Sequence, residues 1–97
     1  MFVDGVDLRD IEWEVDQPAY RVYFWHQPAA PPGVARELVM FHSDEYRLSD
    51  VVDVGEVLAW ARDRGRADQT FTLYVEHRDG DRLGLIRLMG TDPTRAA

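Results

Sequence analysis

The fold is decided by the stretch Asp53–Gly65, DVGEVLAWARDRG, where apolar residues recur with an uninterrupted helical period. Asp53 has the residue type of an N-cap, and Glu56 follows three residues later, which is capping-box spacing. Gly65 is suited to end the helix in the left-handed conformation. The buried face is extended by Val51, is flanked by Trp60, and consists of Val54, Val57, Leu58 and Ala61. A helix this short is marginal in water, so it needs a packing partner.

That partner is predicted to be a β-sheet, because most of the remaining chain alternates between apolar and polar residues. The predicted strands are Arg9–Val15, Tyr20–His26, Arg36–His42, Thr70–His77 and Leu83–Met89, with room for a further short strand in Ser43–Asp50. Gly80 lies in the turn between the last two strands, which predicts a hairpin. We therefore predict an α+β domain, an antiparallel sheet of about five strands with one helix packed on one face, in the order β-β-β-α-β-β.

The chain of 97 residues is the size of one domain. We expect a single domain over residues 1–90 and a flexible C-terminal tail over residues 91–97, where small residues follow the last strand. The proline-rich segment Gln27–Gly33 is predicted to be a surface loop.

Composition excludes several classes of function. The net charge of −7 argues against nucleic acid and anionic membranes as partners. There is no cysteine, which excludes disulfides and cysteine nucleophiles. No apolar run is long enough to span a bilayer, and we expect a cytoplasmic protein. All 11 basic residues are arginine, a bias that GC-rich coding produces without help from function.

The helix can cover only one side of the predicted sheet, which leaves aromatic residues on the other. These are expected to be Tyr23, Trp25, Tyr74 and either Phe41 with Val39 or their alternates. Soluble monomers rarely expose large apolar patches. Three resolutions stay open: a sheet-to-sheet homodimer, a sheet curled on itself, or a surface for a protein partner or an apolar ligand.

Catalytic and metal-binding patterns are weak. His26, His42 and His77 each end a predicted strand, but their spacing matches no metal motif, and a two-histidine site completed by Asp79 or Asp81 is the residual reading. An acidic row on one face of the first predicted strand is most simply its solvated side; it consists of Asp10, Glu12 and Glu14. We predict no catalytic residue, no cofactor and no metal.

The segments DEYRLSD, GEVLAWA, FTLYVE and GLIRLMGTDP resemble small uncharacterised proteins of actinobacteria. The resemblance extends from Asp44 to Pro93 and implies a compact α+β domain. It brings no assigned activity, cofactor or site residue.

The leading functional hypothesis is a non-catalytic protein-interaction module, acting as a homodimer or on a protein partner, with Tyr23, Trp25, Phe41 and Tyr74 as contact residues. One alternative is an acidic inhibitor or immunity-type protein that neutralises a basic toxin. Another is a small enzyme or ligand carrier with a pocket between helix and sheet.

Overall fold

The computed structural model describes residues 1–7, 9, 15–67 and 69–95, and within them the chain forms an α+β domain. In chain order the elements are strand β1 (Tyr20–His26), a short 3₁₀ helix (Arg36–Leu38), strand β2 (His42–Leu48), helix α1 (Val54–Arg64), strand β3 (Thr70–Asp79) and strand β4 (Arg82–Met89). The prediction of one helix with an antiparallel sheet is confirmed.

The sheet has four strands in the order β2-β1-β3-β4, with every neighbouring pair antiparallel. Strand β1 is central, with Tyr20 opposite Leu48 of β2 on one side and opposite Val75 of β3 on the other. The predicted hairpin between β3 and β4 is confirmed, and Gly80 takes the positive φ of 62° that its turn requires.

The predicted count of five strands and the order β-β-β-α-β-β are wrong, because the described residues form four strands in the order β-β-α-β-β. The first predicted strand, Arg9–Val15, falls largely on residues 10–14, which lie outside the described residues. The third, Arg36–His42, is replaced by the 3₁₀ helix and a connection, and pairing begins only at His42. The further strand allowed for in Ser43–Asp50 is therefore the one that forms.

A side-chain amide explains why the chain turns at Arg36 instead of extending. Gln27 donates from its Nε2 atom to the carbonyl oxygens of Arg36 and Val39, both at 3.1 Å, and its Oε1 accepts from the Arg36 guanidinium at 3.0 Å. These bonds hold the segment as a turn beside the end of β1. The apolar side chains of this segment do not reach the core: Leu38 and Met40 are 74% and 79% exposed.

Helix α1 begins as predicted. Asp53 caps it by accepting a hydrogen bond from the Glu56 backbone N–H at 3.2 Å, and the Glu56 carboxylate in turn accepts from the Val52 N–H at 2.7 Å. Its end differs from the prediction, because Gly65 has a φ of −66° and is not left-handed. A Cβ at Gly65 would lie 3.2 Å from the Ala61 carbonyl oxygen, so close packing favours glycine there.

The core lies between α1 and one face of the sheet. Its most buried side chains are Val22, Val57, Ala61 and Leu73, each at most 1% exposed. The predicted apolar stripe of the helix is confirmed at Val57 and Ala61, but Val54 is 39% exposed. Near the C-terminal end of α1, the aromatic rings of Phe24, Tyr46 and Trp60 pack against one another. The Arg64 guanidinium lies over the rings of Tyr46 and Trp60.

Candidate functional site

The candidate site is the sheet face turned away from α1, which we call the open face. Strand register decides which residues share it, because directly opposed residues of antiparallel strands point to the same side. Starting from Tyr23 of β1, its neighbours across the sheet are Glu45 of β2 and Thr72 of β3. The same register places further residues on the open face: Arg21, Trp25, Ser43, Arg47, Thr70, Tyr74, Glu76, Arg78, Leu83, Leu85 and Arg87.

An aromatic cluster occupies the middle of the open face. The ring of Tyr23 lies 5.1 Å from the ring of Tyr74 and 6.2 Å from that of Trp25, measured between centroids. Both distances suit favourable edge and tilted contacts between rings. The structure thus brings together three of the four predicted contact residues.

Trp25 is the buried member of this cluster. It is 7% exposed, and its indole N–H donates to the Thr72 hydroxyl at 2.9 Å. That hydroxyl donates in turn to the carbonyl oxygen of Thr91 at 2.8 Å, so one buried threonine links β1 to the residues that follow β4. Tyr23 and Tyr74 are half-buried. They are therefore the rings a partner can reach.

Phe41, the fourth predicted contact residue, lies in the connection just before β2. It is half-buried and lines a shallow cavity of about 380 Å³ together with Trp25 and His26. It is thus beside the aromatic cluster, at the end of the face where β1 finishes. Its role as a contact residue stays a prediction, as do those of Tyr23, Trp25 and Tyr74.

The main cleft of the open face was not foreseen from sequence. It has a volume of about 610 Å³ and is lined by Tyr23, Tyr74, Leu85, Arg87, Asp92 and Arg95. The last two belong to the segment that follows β4, which forms one wall. Alternation along β4 could have assigned Leu85 and Arg87 to one face, but no sequence signal places Asp92 beside Tyr74.

The described residues beyond β4, as far as Arg95, form a turn closed by a hydrogen bond from the Arg95 backbone N–H to the Asp92 carbonyl oxygen. Asp92 accepts hydrogen bonds from the Thr94 backbone N–H, at 2.8 Å, and from the Thr94 hydroxyl. Its pKa is lowered chiefly by these bonds from Thr94. Burial, and secondly the Asp92 charge, raise the pKa of Tyr74. The flexible tail predicted over residues 91–97 stays a prediction.

A charged group of three residues lies on the open face beside the aromatic cluster. Glu76 accepts from Arg21 at 2.7 Å and from Arg47 at 2.9 and 3.1 Å, while its side chain is only 9% exposed. The bond from Arg47 is the main cause that lowers the pKa of Glu76, with burial opposing it and Arg21 adding to it. The carboxylate also partly offsets the repulsion between these two arginines, which are directly opposed on β1 and β2.

The strands of the open face carry positive charge in excess. They place there the arginines Arg21, Arg47, Arg78 and Arg87 but only two acids, Glu45 and Glu76. The whole chain has a net charge of −7. Among the described strand residues, the open face therefore carries an excess of positive charge in an acidic protein.

The three histidines do not come together. His26 is directly opposite His42 across β1 and β2, whereas His77 lies near the other end of the sheet, opposite Gly84. The prediction that His42 ends a strand is wrong, since β2 begins there. Among the described residues no group of three or more potential metal ligands is found, and Asp10, Glu12 and Glu14 lie outside them.

No protein-family model, curated protein or solved structure matches this chain. In the part of the chain that the structure describes, no helix has the length and apolar character needed to cross a membrane.

Proposed function

We propose that this protein is a non-catalytic protein-interaction module, homodimeric, that contacts a partner protein with its open face. One observation carries the proposal: Tyr23 and Tyr74, with rings 5.1 Å apart, stay half-buried on the face that α1 does not cover. Tyrosine and arginine are enriched in protein interfaces because each offers a large contact area with a polar end. Arg87 and Leu85 adjoin the two rings in the same cleft.

The charge of the open face indicates the chemistry of the partner. Four arginines against two glutamates favour a partner surface that combines acidic side chains with an apolar centre. Arg87 forms no ion pair with any described residue, so it is available to an incoming carboxylate. Glu76 already neutralises Arg21 and Arg47 in part, which leaves them as a polar rim.

The test compares two variants for capture of proteins from an extract of the source cells. Replacing both Tyr23 and Tyr74 by alanine should abolish retention of the partner, while Tyr46→Phe, which keeps the ring packed on the helix side of the sheet, should leave retention intact. The captured protein is then purified and titrated by calorimetry at low and high salt. An affinity that falls with added salt is expected for an acidic partner.

The proposal fails if the double variant, shown to be folded by circular dichroism, retains the same proteins as the wild type. The inhibitor and ligand-carrier hypotheses stay predictions. A partner that binds the Tyr46 side instead would direct attention away from the open face.

A further inference from the structure

Strand β4 is an edge of the sheet, and all eight of its residues are exposed. Its sequence, RLGLIRLM, is apolar on both faces, with exposed fractions between 36% and 51% for the large side chains Leu83, Leu85, Ile86, Leu88 and Met89. Its only charged residues are Arg82 and Arg87. An exposed apolar edge strand is a template for pairing with another strand.

The other edge shows how this sheet protects itself where it does not pair. Strand β2, HSDEYRL, places Asp44 and Glu45 side by side in the middle of an exposed strand. Acidic side chains on an edge disfavour pairing with a second acidic copy. Strand β4 has no acid, lysine or proline, and its one irregularity is a bulge near its end, where Leu88 is the extra residue between the pairs at Met89 and Arg87. Among the described residues, none pairs with the outer edge of β4, so residues 82–87 can form a regular ladder there.

We propose that β4 pairs antiparallel with β4 of a second copy of this chain, about a two-fold axis perpendicular to the sheet. The inference rests on the proposed function and adds to it by stating how the homodimer forms. Its geometry depends on β4 alone. A second copy is a suitable occupant because two chains of charge −7 repel each other least along a segment without acids, and residues 82–91 contain none.

Charge also limits the register, because it disfavours an axis that brings the two Arg87 side chains together. Such an axis lies between the two strands, midway between one residue and its own copy, and it pairs open-face residues with open-face residues. Centred on Leu85, it sets Leu85 opposite its own copy and Leu83 opposite Arg87 of the partner subunit. The two Arg87 side chains are then four positions apart, about 14 Å along the strands, which is beyond the screening length of about 8 Å. Centring on Ile86 would bring them to about 7–8 Å and cost repulsion.

The dimer would be one continuous eight-stranded sheet, from two copies of a four-stranded sheet. Because the axis is perpendicular to the sheet, both helices lie on one side and both open faces on the other. The two pairs of Tyr23 and Tyr74 then belong to a single surface, and the basic face of one copy continues into that of the next.

The experiment measures mass in solution by sedimentation velocity from about 1 to 200 μM. The wild type should shift from monomer to dimer with rising concentration. Ile86→Lys, at a site already 51% exposed, should remain monomeric with unchanged circular dichroism, while Leu38→Lys, at a site 74% exposed and outside the sheet, should dimerise normally. A wild type that stays monomeric over the whole concentration range overturns the inference.

The register is tested by cross-linking, since the chain has no cysteine to interfere. Directly opposed residues have Cβ atoms about 4.5–5.5 Å apart, so Leu85→Cys should form a disulfide-linked dimer under mild oxidation. The matched control, Leu83→Cys on the same strand and face, should not, because its own copy lies four positions away.

Two other outcomes separate this inference from the proposed function. If dimerisation survives Ile86→Lys but is lost on replacing Tyr23 and Tyr74 by alanine, the open face forms the dimer, and the β4 inference fails while the proposed function holds. If a ladder of larger assemblies appears instead of a dimer, β4 pairs with β2 of the next copy, and the two-fold arrangement is refuted.

Discussion

Gly90 is the position where a single methyl group should do most harm. It follows β4 at a φ of 85°, and a Cβ there would overlap the Phe71 carbonyl oxygen and lie 3.1 Å from the Cα atom of Thr72. Left-handed backbone costs a non-glycine residue about 1–2 kcal/mol. Overpacking against backbone adds about 1–3 kcal/mol, so Gly90→Ala should destabilise the protein by about 2–5 kcal/mol.

A second glycine provides the control. Gly80 also has a positive φ, 62°, but a Cβ there would meet nothing within 4 Å. Gly80→Ala should therefore cost only the backbone term, about 1–2 kcal/mol. Thermal denaturation followed by circular dichroism should separate the two variants, because each kcal/mol lowers the melting temperature of a domain this size by about 4–8 °C. Equal losses in the two variants would refute the steric reasoning.

The remaining predictions concern the helix cap, the core and the buried carboxylate. Asp53→Ala should lower the free energy of unfolding by about 0.5–2 kcal/mol in urea titrations, whereas Asp53→Asn, which can still accept from the Glu56 N–H, should lose much less. Leu73→Ala, at a residue 1% exposed, should cost about 2–5 kcal/mol, and an equal effect at the exposed Leu83 would contradict the assignment of the core. Since the two arginines that bind Glu76 hold its pKa below the ordinary value of 4.5, its contribution is present above that pH and is lost as pH falls through the lowered pKa. Glu76→Gln should therefore lower the free energy of unfolding at pH 7, and the difference from the wild type should become smaller in acid. A difference that stays constant from pH 7 to pH 3 would contradict the ion-pair explanation.

Elements with complete local signals were predicted from sequence. Helix α1 has an acidic cap at Asp53 and an apolar period that brings Val57 and Ala61 to the sheet. The β3–β4 hairpin has Gly80 where its turn needs a positive φ. In both cases the residues that specify the element lie within it or next to it, so no knowledge of distant contacts was required.

Strand β2 was misplaced because its signal depends on distant residues. Its sequence has few apolar side chains, yet Tyr46 and Leu48 pack against the core once β1 is beside them. The more apolar Leu38 and Met40 precede it and stay exposed, since the bonds from Gln27 hold that segment in a turn. Tertiary contacts thus outweighed strand propensity both in β2 and in the segment that precedes it.

The open face was predicted in part for the same reason. Alternation along β1 is enough to place Tyr23 and Trp25 on the side away from α1. The cleft could not be foreseen, because its wall depends on a hydrogen bond from the Thr72 hydroxyl to the Thr91 backbone carbonyl, and any residue type at position 91 offers that carbonyl. Arg95 lines the cleft because it belongs to the same segment after β4 as Thr91.

Charge, more than polarity, distinguishes the two sides of this sheet. Both sides carry aromatic residues, but the strands of the open face carry more arginine than glutamate, although the net charge of the chain is −7. A basic surface on an acidic protein orients an acidic partner toward that surface over a range of about the screening length, 8 Å. If β4 pairs as proposed, the arginine-rich surfaces of the two copies adjoin, and the dimer presents a wider surface of one sign. Charge would then have two effects. The acids of β2 would keep that edge out of the dimer contact, and the arginines of the open face would favour an acidic partner on the surface that the dimer creates.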